Sequence, residues 1–429
     1  MKKIVVSGGR KLYGNVKISG AKNAAVAILP ASILSEEKVV IENIPDISDI
    51  SLMCKILEQL GAEIKVLGKH ELEIDAKNVS NCEADFEDVK HMRASCYLLG
   101  ALLGKFGNSC IAMPGGCNFE LRPIDQHIKG FSILGSSCEI SGGFVTAKAK
   151  KLVGGNVYFD IVSVGATINL ILAAVKASGV TTIENAAKEP HVVDVANFLN
   201  SMGADIRGAG TDLIKIKGVK HLKGTSYSII PDQIEAGTYL AAVTATGGNI
   251  TIENIIPKHL EPIAAKLEEI GAKIKFSDDS VSIVSNGNLN KCNVKTMPYP
   301  GFPTDMQPQI TAILTQAIGT SVISESVWDH RFKYVSELVR MGAKILVDGR
   351  VAIIEGKTEL TGANVKAADL RAGAALIISG LISKGTTVIG NINFIERGYE
   401  GIVEKLSNLG ADIKLAKFEN LNNVTYAAG

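Results

Sequence analysis

The sequence predicts an α/β protein of two domains, each assembled from three copies of one repeated unit. The first observation behind this is a phrase that recurs six times, at intervals of roughly 70 residues. It reads Gln59-Leu60-Gly61-Ala62-Glu63-Ile64, then Ile133-Leu134-Gly135-Ser136-Ser137-Cys138-Glu139-Ile140 with two residues inserted, then Ser201-Met202-Gly203-Ala204-Asp205-Ile206. It returns as Glu269-Ile270-Gly271-Ala272-Lys273-Ile274, Arg340-Met341-Gly342-Ala343-Lys344-Ile345 and Asn408-Leu409-Gly410-Ala411-Asp412-Ile413. In each copy, apolar residues at helical spacing lead into a glycine suited to a helix C-terminus, and the alternation beyond it reads as a strand. The second observation is a strand phrase earlier in each unit: Val40-Ile41-Glu42-Asn43, Thr182-Ile183-Glu184-Asn185, Thr251-Ile252-Glu253-Asn254, Val322-Ile323-Ser324-Glu325 and Val388-Ile389-Gly390-Asn391. The third is length, since 429 residues exceed a single hydrophobic core.

Taken in order, a unit begins with an Ala-rich helix such as 166–177, 235–245 or 370–381, apolar on most faces and therefore buried. The strand phrase, a turn, an amphipathic helix and the strand after Gly-Ala follow. In the second unit the strand is the run from Cys110 to Met113, and its turn is Pro114-Gly115-Gly116-Cys117. Beyond that turn, Ile124, Ile128, Phe131 and Leu134 have helical spacing, and Arg122 and Pro123 fit the first turn of that helix. Pro-Asp and Gly-Ala punctuation near Ile230-Pro231-Asp232 and Ser19-Gly20-Ala21 marks two chain crossings. The expected division is 1–20 plus 230–429 as one domain and 21–229 as the other, with the ligand site in the cleft between them.

Composition narrows the function. A hydrophobic fraction of 46% with 21% charged residues is that of a soluble globular protein, and 45 basic against 44 acidic residues give no global case for nucleic acid or membrane binding. No apolar run is long enough for a signal peptide or membrane span, which points to a cytoplasmic protein. Seven scattered cysteines without a C-x-x-C pair argue against a disulfide framework and structural zinc. Zincin, Walker A, dinucleotide-binding and nucleophile-elbow motifs are missing, so metal, nucleotide-hydrolysis, nicotinamide and hydrolase chemistry lose support.

The residues that carry chemistry sit at turns. Cys117, between two glycines and a helix start beside Arg122, is either a small buried hydrophobe or a thiol biased toward thiolate. Lys22, in Ser19-Gly20-Ala21-Lys22-Asn23, opposes the dipole of the helix it begins, so it either faces an anion or is a solvated cap. Asp305, in Pro303-Thr304-Asp305-Met306-Gln307, reads locally as a cap. Arg93, Arg122, Arg331, Arg371 and Arg397 stand near helix mouths, a pattern that suits a polyanionic ligand. His127 and His191 are further acid or base candidates.

At these residues the chain resembles the enolpyruvyl transferase family, in particular the members that act on UDP-N-acetylglucosamine, from end to end. The most specific phrases are Ser19-Gly20-Ala21-Lys22-Asn23, Pro114-Gly115-Gly116-Cys117, Val162-Ser163-Val164-Gly165-Ala166-Thr167, Phe302-Pro303-Thr304-Asp305-Met306-Gln307, Asp369-Leu370-Arg371 and Arg397-Gly398-Tyr399-Glu400. The resemblance implies two inside-out α/β barrel domains with three-fold pseudosymmetry. It implies transfer of the enolpyruvyl group of phosphoenolpyruvate to the 3′-hydroxyl of UDP-N-acetylglucosamine with release of phosphate, and no cofactor. Cys117 would be the acid, able to form an adduct with phosphoenolpyruvate and to be alkylated by fosfomycin, and Asp305 the base. Lys22, Arg122 and Arg397 would hold phosphoenolpyruvate, with Arg93 nearby. Asn23, Ser163, Val164, Gly165 and Val327 would line the nucleotide-sugar site, Pro123, Ile124, Asp125 and Gln126 would also bind substrate, and Asp369 and Arg371 would support the site. The chain departs from the family at Asp329, where glutamate is common, and at Ile161, where some relatives are basic. The shikimate-pathway transferase and a non-catalytic nucleotide-sugar binder are the alternative readings.

Overall fold

A computed structural model describes residues 2–84, 88–89, 92–113 and 124–417. These form two compact units: residues up to Ile18, Gln233–Met297 and those from Phe302 onward make one, and Ser19–Asp232 with Pro298–Gly301 make the other. Each unit has its own apolar core, one built between Ala21 and Ile229, the other from residues between Ile4 and Ile18 joined to those between Ile234 and Ile413. The division falls after Ile18 and Asp232, slightly off the expected 20 and 229. Asp232 N donates to Ser19 O at 2.9 Å and Gly20 bridges Pro231, which keeps both crossing segments in the Ser19–Asp232 unit.

Among the described residues there are six four-stranded sheets, one per repeat. Each has one parallel pair followed by two antiparallel pairs. Leu12–Lys17, for instance, runs parallel to Gly248–Glu253, which pairs antiparallel with Ser280–Ser285, itself antiparallel to Lys273–Phe276. Lys2–Ser7 inserts between Thr386–Gly390 and Asp412–Lys417, so the first strand completes a sheet formed near the C-terminus. Strands show one buried face, as in Leu213–Lys217, where Ile214 and Ile216 alone point inward.

The helices inside are buried all round. In Val164–Ala174 every residue from Ala166 to Ala174 is buried, and each Ile or Leu so placed contributes about 1.5–3 kcal/mol. In one unit Gln233–Thr246, Gln307–Leu314 and Leu370–Ile382 pack on one another; in the other Tyr97–Phe106 packs on both Lys22–Ser32 and Val164–Ala174. Gly100 lets Tyr97–Phe106 and Val164–Ala174 approach closely, because a Cβ there would stand 2.2 Å from Asn169 O. Helices lie inside and sheets outside, the inside-out arrangement.

Both repeated phrases have a physical reason. The glycine of the first phrase takes a positive φ in all six copies, from 89° at Gly135 to 124° at Gly271, which ends the amphipathic helix and turns the chain into the next strand. In the second phrase Asn43, Asn185, Asn254 and Asn391 are left-handed, at φ 53–59°. Their side-chain amides donate to Ile229 O, Phe159 O, Ile18 O and Ala367 O, each the carbonyl just past the end of the parallel neighbour strand, at 2.7–3.3 Å. Asparagine tolerates that conformation and supplies the donor that locks it.

Candidate active site

In the Ser19–Asp232 unit, Lys22 opens the helix Lys22–Ser32. Its Nζ lies 2.9 Å from Asp49 Oδ2, with the two side chains 14% and 4% exposed, and its backbone N donates to Asp232 Oδ2 at 3.1 Å. The lysine is thus neither a solvated cap nor dependent on a ligand for a counter-charge, since Asp49 on Ser48–Gln59 supplies one. Asn23 beside it is half-buried. Arg93 begins the 3₁₀ turn Arg93–Cys96 and is half-buried. Cys117, Arg122 and Pro123 lie outside the described residues. The described helix that follows is Asp125–Ile133, with Ile124 as its N-cap.

Ser163 caps Val164–Ala174, its Oγ accepting from Ala166 N at 3.3 Å. Behind this helix start lies His127. Gly100 N donates to Asn169 Oδ1 at 2.8 Å and Asn169 Nδ2 donates to Cys96 O at 3.0 Å, which fixes the orientation of the amide. The second Nδ2 hydrogen therefore goes to His127 Nδ1, 3.0 Å away, leaving the ring proton on Nε2. Nε2 faces Gly165, where a Cβ would sit 3.2 Å from it. Burial, with Arg93 adding to it, lowers the His127 pKa from 6.5 to about 4. The unfolded chain then takes up a proton between those values that the folded chain refuses, so this residue's stability is complete above about pH 6.5 and is lost as pH falls toward 4. Urea titrations of His127→Gln are expected to show a flatter stability profile across that window; an unchanged slope would contradict the assignment.

The departure at Ile161 leaves an exposed apolar side chain, 58% accessible. The adjoining Asp160 binds Lys129 Nζ at 2.8 Å and pairs with the buried Gln126, accepting from Nε2 at 3.2 Å and donating its N to Oε1 at 3.0 Å. Gln126 Nε2 also donates to Asp125 Oδ2 at 2.8 Å.

In the other unit, Asp305 is no cap. It sits in the 3₁₀ turn Thr304–Met306, where its Oδ1 is 3.2 Å from Arg331 Nη2 and its Oδ2 is 3.1 Å from Arg371 Nη2. Both arginine side chains are 5% exposed and the carboxylate 27%, so two buried cations aim a carboxylate that remains accessible. Asp369 is the true N-cap, accepting from Arg371 N at 2.8 Å and Ala372 N at 3.0 Å, which sets Arg371 in the first helical turn. Arg371 lies over the Tyr399 ring, 5.5 Å from its centroid, and Tyr399 Oη is 2.9 Å from Thr238 Oγ1. Arg397 stands at the C-terminal end of Asn393–Glu396 rather than at a helix mouth, and is half-buried. Val327 is exposed, while Asp329 pairs with Arg350 at the surface.

The structure thus joins Asp305 to Arg371 and to Arg331, and Ser163 through Gly165 to His127. Sequence reasoning missed Asp49, Asn169 and Glu325. Asp49 had a signal, because a lysine at a helix start requires an anion of some kind. Of the cysteines, Cys54, Cys82, Cys96, Cys110, Cys138 and Cys292 are free thiols. Burial pushes Cys54 and Cys292 up to about 12 and Cys96 up to about 11, which suppresses their thiolates. Among the described residues no helix is long and apolar enough to cross a membrane, and no cluster of His, Cys, Asp and Glu is placed to hold a metal ion.

The family model described as EPSP synthase (3-phosphoshikimate 1-carboxyvinyltransferase) matches residues 6–406, and the chain belongs to that family. It is similar to UDP-N-acetylglucosamine 1-carboxyvinyltransferase 2 of Clostridium acetobutylicum, 57% identical over 97% of this chain and 100% of that protein. It is equally similar, at 57% over 96% and 99%, to UDP-N-acetylglucosamine 1-carboxyvinyltransferase of Clostridium botulinum. Among solved structures, the enolpyruvyl transferase NikO from Streptomyces tendae superposes with a TM-score of 0.88 at 26% identity, covering 96% of this chain and 98% of that one. EPSP synthase from Acinetobacter baumannii reaches 0.76 at 17% identity over 97% and 100%, a likeness of fold.

Proposed function

We propose that this enzyme is a UDP-N-acetylglucosamine 1-carboxyvinyltransferase. The observation that carries the reading is 57% identity to two curated enzymes of that name over nearly the whole chain. The reaction adds the sugar 3′-hydroxyl to C2 of phosphoenolpyruvate while C3 takes a proton. Collapse of the adduct then expels phosphate and returns that proton, leaving the enolpyruvyl ether. It needs an acid for C3, a base for the hydroxyl, and cations for the phosphate and carboxylate.

In this reading Cys117 is the acid and adduct-forming thiol, and Asp305 receives the hydroxyl proton. Lys22, Arg122 and Arg397 bind phosphoenolpyruvate, with Arg93 close by. Asn23, Pro123, Ile124, Asp125, Gln126, Ser163, Val164, Gly165 and Val327 take the nucleotide sugar. Asp369 and Arg371 act one step back, the first by capping its helix and the second by holding Asp305. The fixed geometry of the accessible Asp305 carboxylate supports its role. The step would commit UDP-N-acetylglucosamine to peptidoglycan in the cytoplasm, and so serve cell-wall growth, shape and division. Phosphate release that depends on UDP-N-acetylglucosamine tests the reading.

Fosfomycin would alkylate Cys117, the raised pKa values of three other thiols leaving them poor competitors. Cys117→Asp is expected to keep substantial turnover and lose inactivation by fosfomycin, because a carboxylic acid still donates a proton but attacks an epoxide poorly. Full sensitivity of that variant, measured as residual activity after incubation, would place the reactive group elsewhere.

A further inference from the structure

We infer that Glu325 is a positioning residue for the transfer reaction, holding the Asp305 turn and the Val327 segment in one fixed arrangement. The inference rests on the transferase reading above. It begins from a break in the internal symmetry. In four repeats the residue after the strand is a left-handed asparagine whose amide serves the neighbouring carbonyl. In the repeat carrying Val327, that residue is Glu325, which lacks a positive φ and whose N donates to Arg350 O at 2.8 Å. The asparagine's task passes to Ser326, whose hydroxyl donates to Thr296 O.

The carboxylate freed from that task is 2% exposed and, among the described residues, has no ion-pair partner. It is held by four donors from three segments. Its Oε1 accepts from Thr296 Oγ1 at 2.7 Å, Val327 N at 2.8 Å and Trp328 N at 3.0 Å, and its Oε2 accepts from Thr304 Oγ1 at 3.0 Å. A buried carboxylate without a cation is costly unless its lone pairs are filled, and here they are filled by the residue before Asp305 and by the backbone of Val327. The symmetric asparagine turn would fold the strand without any buried charge, so folding alone does not require glutamate. What glutamate adds is a tie between Thr304 and Val327, the two segments that carry the base and a sugar contact.

The test is steady-state phosphate release by the full-length enzyme with Glu325→Ala, Glu325→Gln, Thr304→Val and the Ala/Val double variant, with melting temperatures measured alongside. Glu325→Ala is expected to lower kcat on the order of 100-fold, as misplacement of a reacting group does, with a smaller change in KM for phosphoenolpyruvate. Thr304→Val is expected to lower kcat about tenfold, the scale of one charge-assisted hydrogen bond. The double variant should be no worse than Glu325→Ala. Glu325→Gln keeps an acceptor for the amides, and the Thr304 hydroxyl can turn to accept, so it should recover most of the loss. Unchanged kcat in folded Glu325→Ala, or effects that multiply in the double variant, would overturn the inference. Glutamine no better than alanine would overturn it as well. Wild-type enzyme that releases no phosphate with UDP-N-acetylglucosamine would overturn the transferase reading itself, a result separate from any variant's.

Discussion

Asp305→Asn is expected to lower kcat by at least about 100-fold while KM for phosphoenolpyruvate changes little, because an amide cannot accept the hydroxyl proton that a positioned carboxylate accepts. The same change removes the counter-charge of two arginines that are each 5% exposed. Breaking a buried pair costs about 3–5 kcal/mol; with Asp305 itself 27% exposed, about 2 kcal/mol is expected here. Stability and chemistry should therefore fall together in Asp305→Asn, and calorimetry beside kinetics reads both. Adding Arg331→Met removes one of the cations and should restore part of the melting temperature without restoring kcat. An Asp305→Asn enzyme with wild-type kcat would remove Asp305 from the chemistry.

The second large effect is expected at Lys22. Lys22→Met removes a cation assigned to phosphoenolpyruvate and should lower kcat/KM for that substrate on the order of 100–1000-fold. It also takes the ion-pair partner from Asp49, whose side chain is 4% exposed, so the protein should lose stability. The Lys22→Met, Asp49→Asn double variant separates the two roles: melting temperature should recover and kcat/KM should not. Recovery of activity in the double variant would mean that Lys22 serves only to neutralise Asp49.

The repeat was legible because its signals are local. A glycine that must take positive φ and an asparagine that must sit left-handed leave the same mark in every copy, at Gly61 through Gly410 and at Asn43, Asn185, Asn254 and Asn391. The buried Ala-rich helices were legible for a similar reason, as their sequences offer no polar face. Partners distant in sequence were not legible. Asp49 meets Lys22 across 27 positions, and Arg371 meets Asp305 across 66. Neither local pattern says where the other end will fold, so Lys22 read as a solvated cap or an anion ligand and Asp305 as a cap. Arg397 was misplaced because Asn393–Glu396 is a single short turn, and the periodicity there belongs to the later helix Ile402–Asn408. Glu325 was visible as an odd letter in a repeated phrase, yet its meaning required the four hydrogen bonds that only folding reveals.

The central claim concerns the acceptor, since the family spans more than one. The direct measurement is phosphate release from phosphoenolpyruvate by the purified enzyme, with UDP-N-acetylglucosamine and, separately, with shikimate 3-phosphate. Release is expected with UDP-N-acetylglucosamine and not with shikimate 3-phosphate. Release with shikimate 3-phosphate alone would contradict the account.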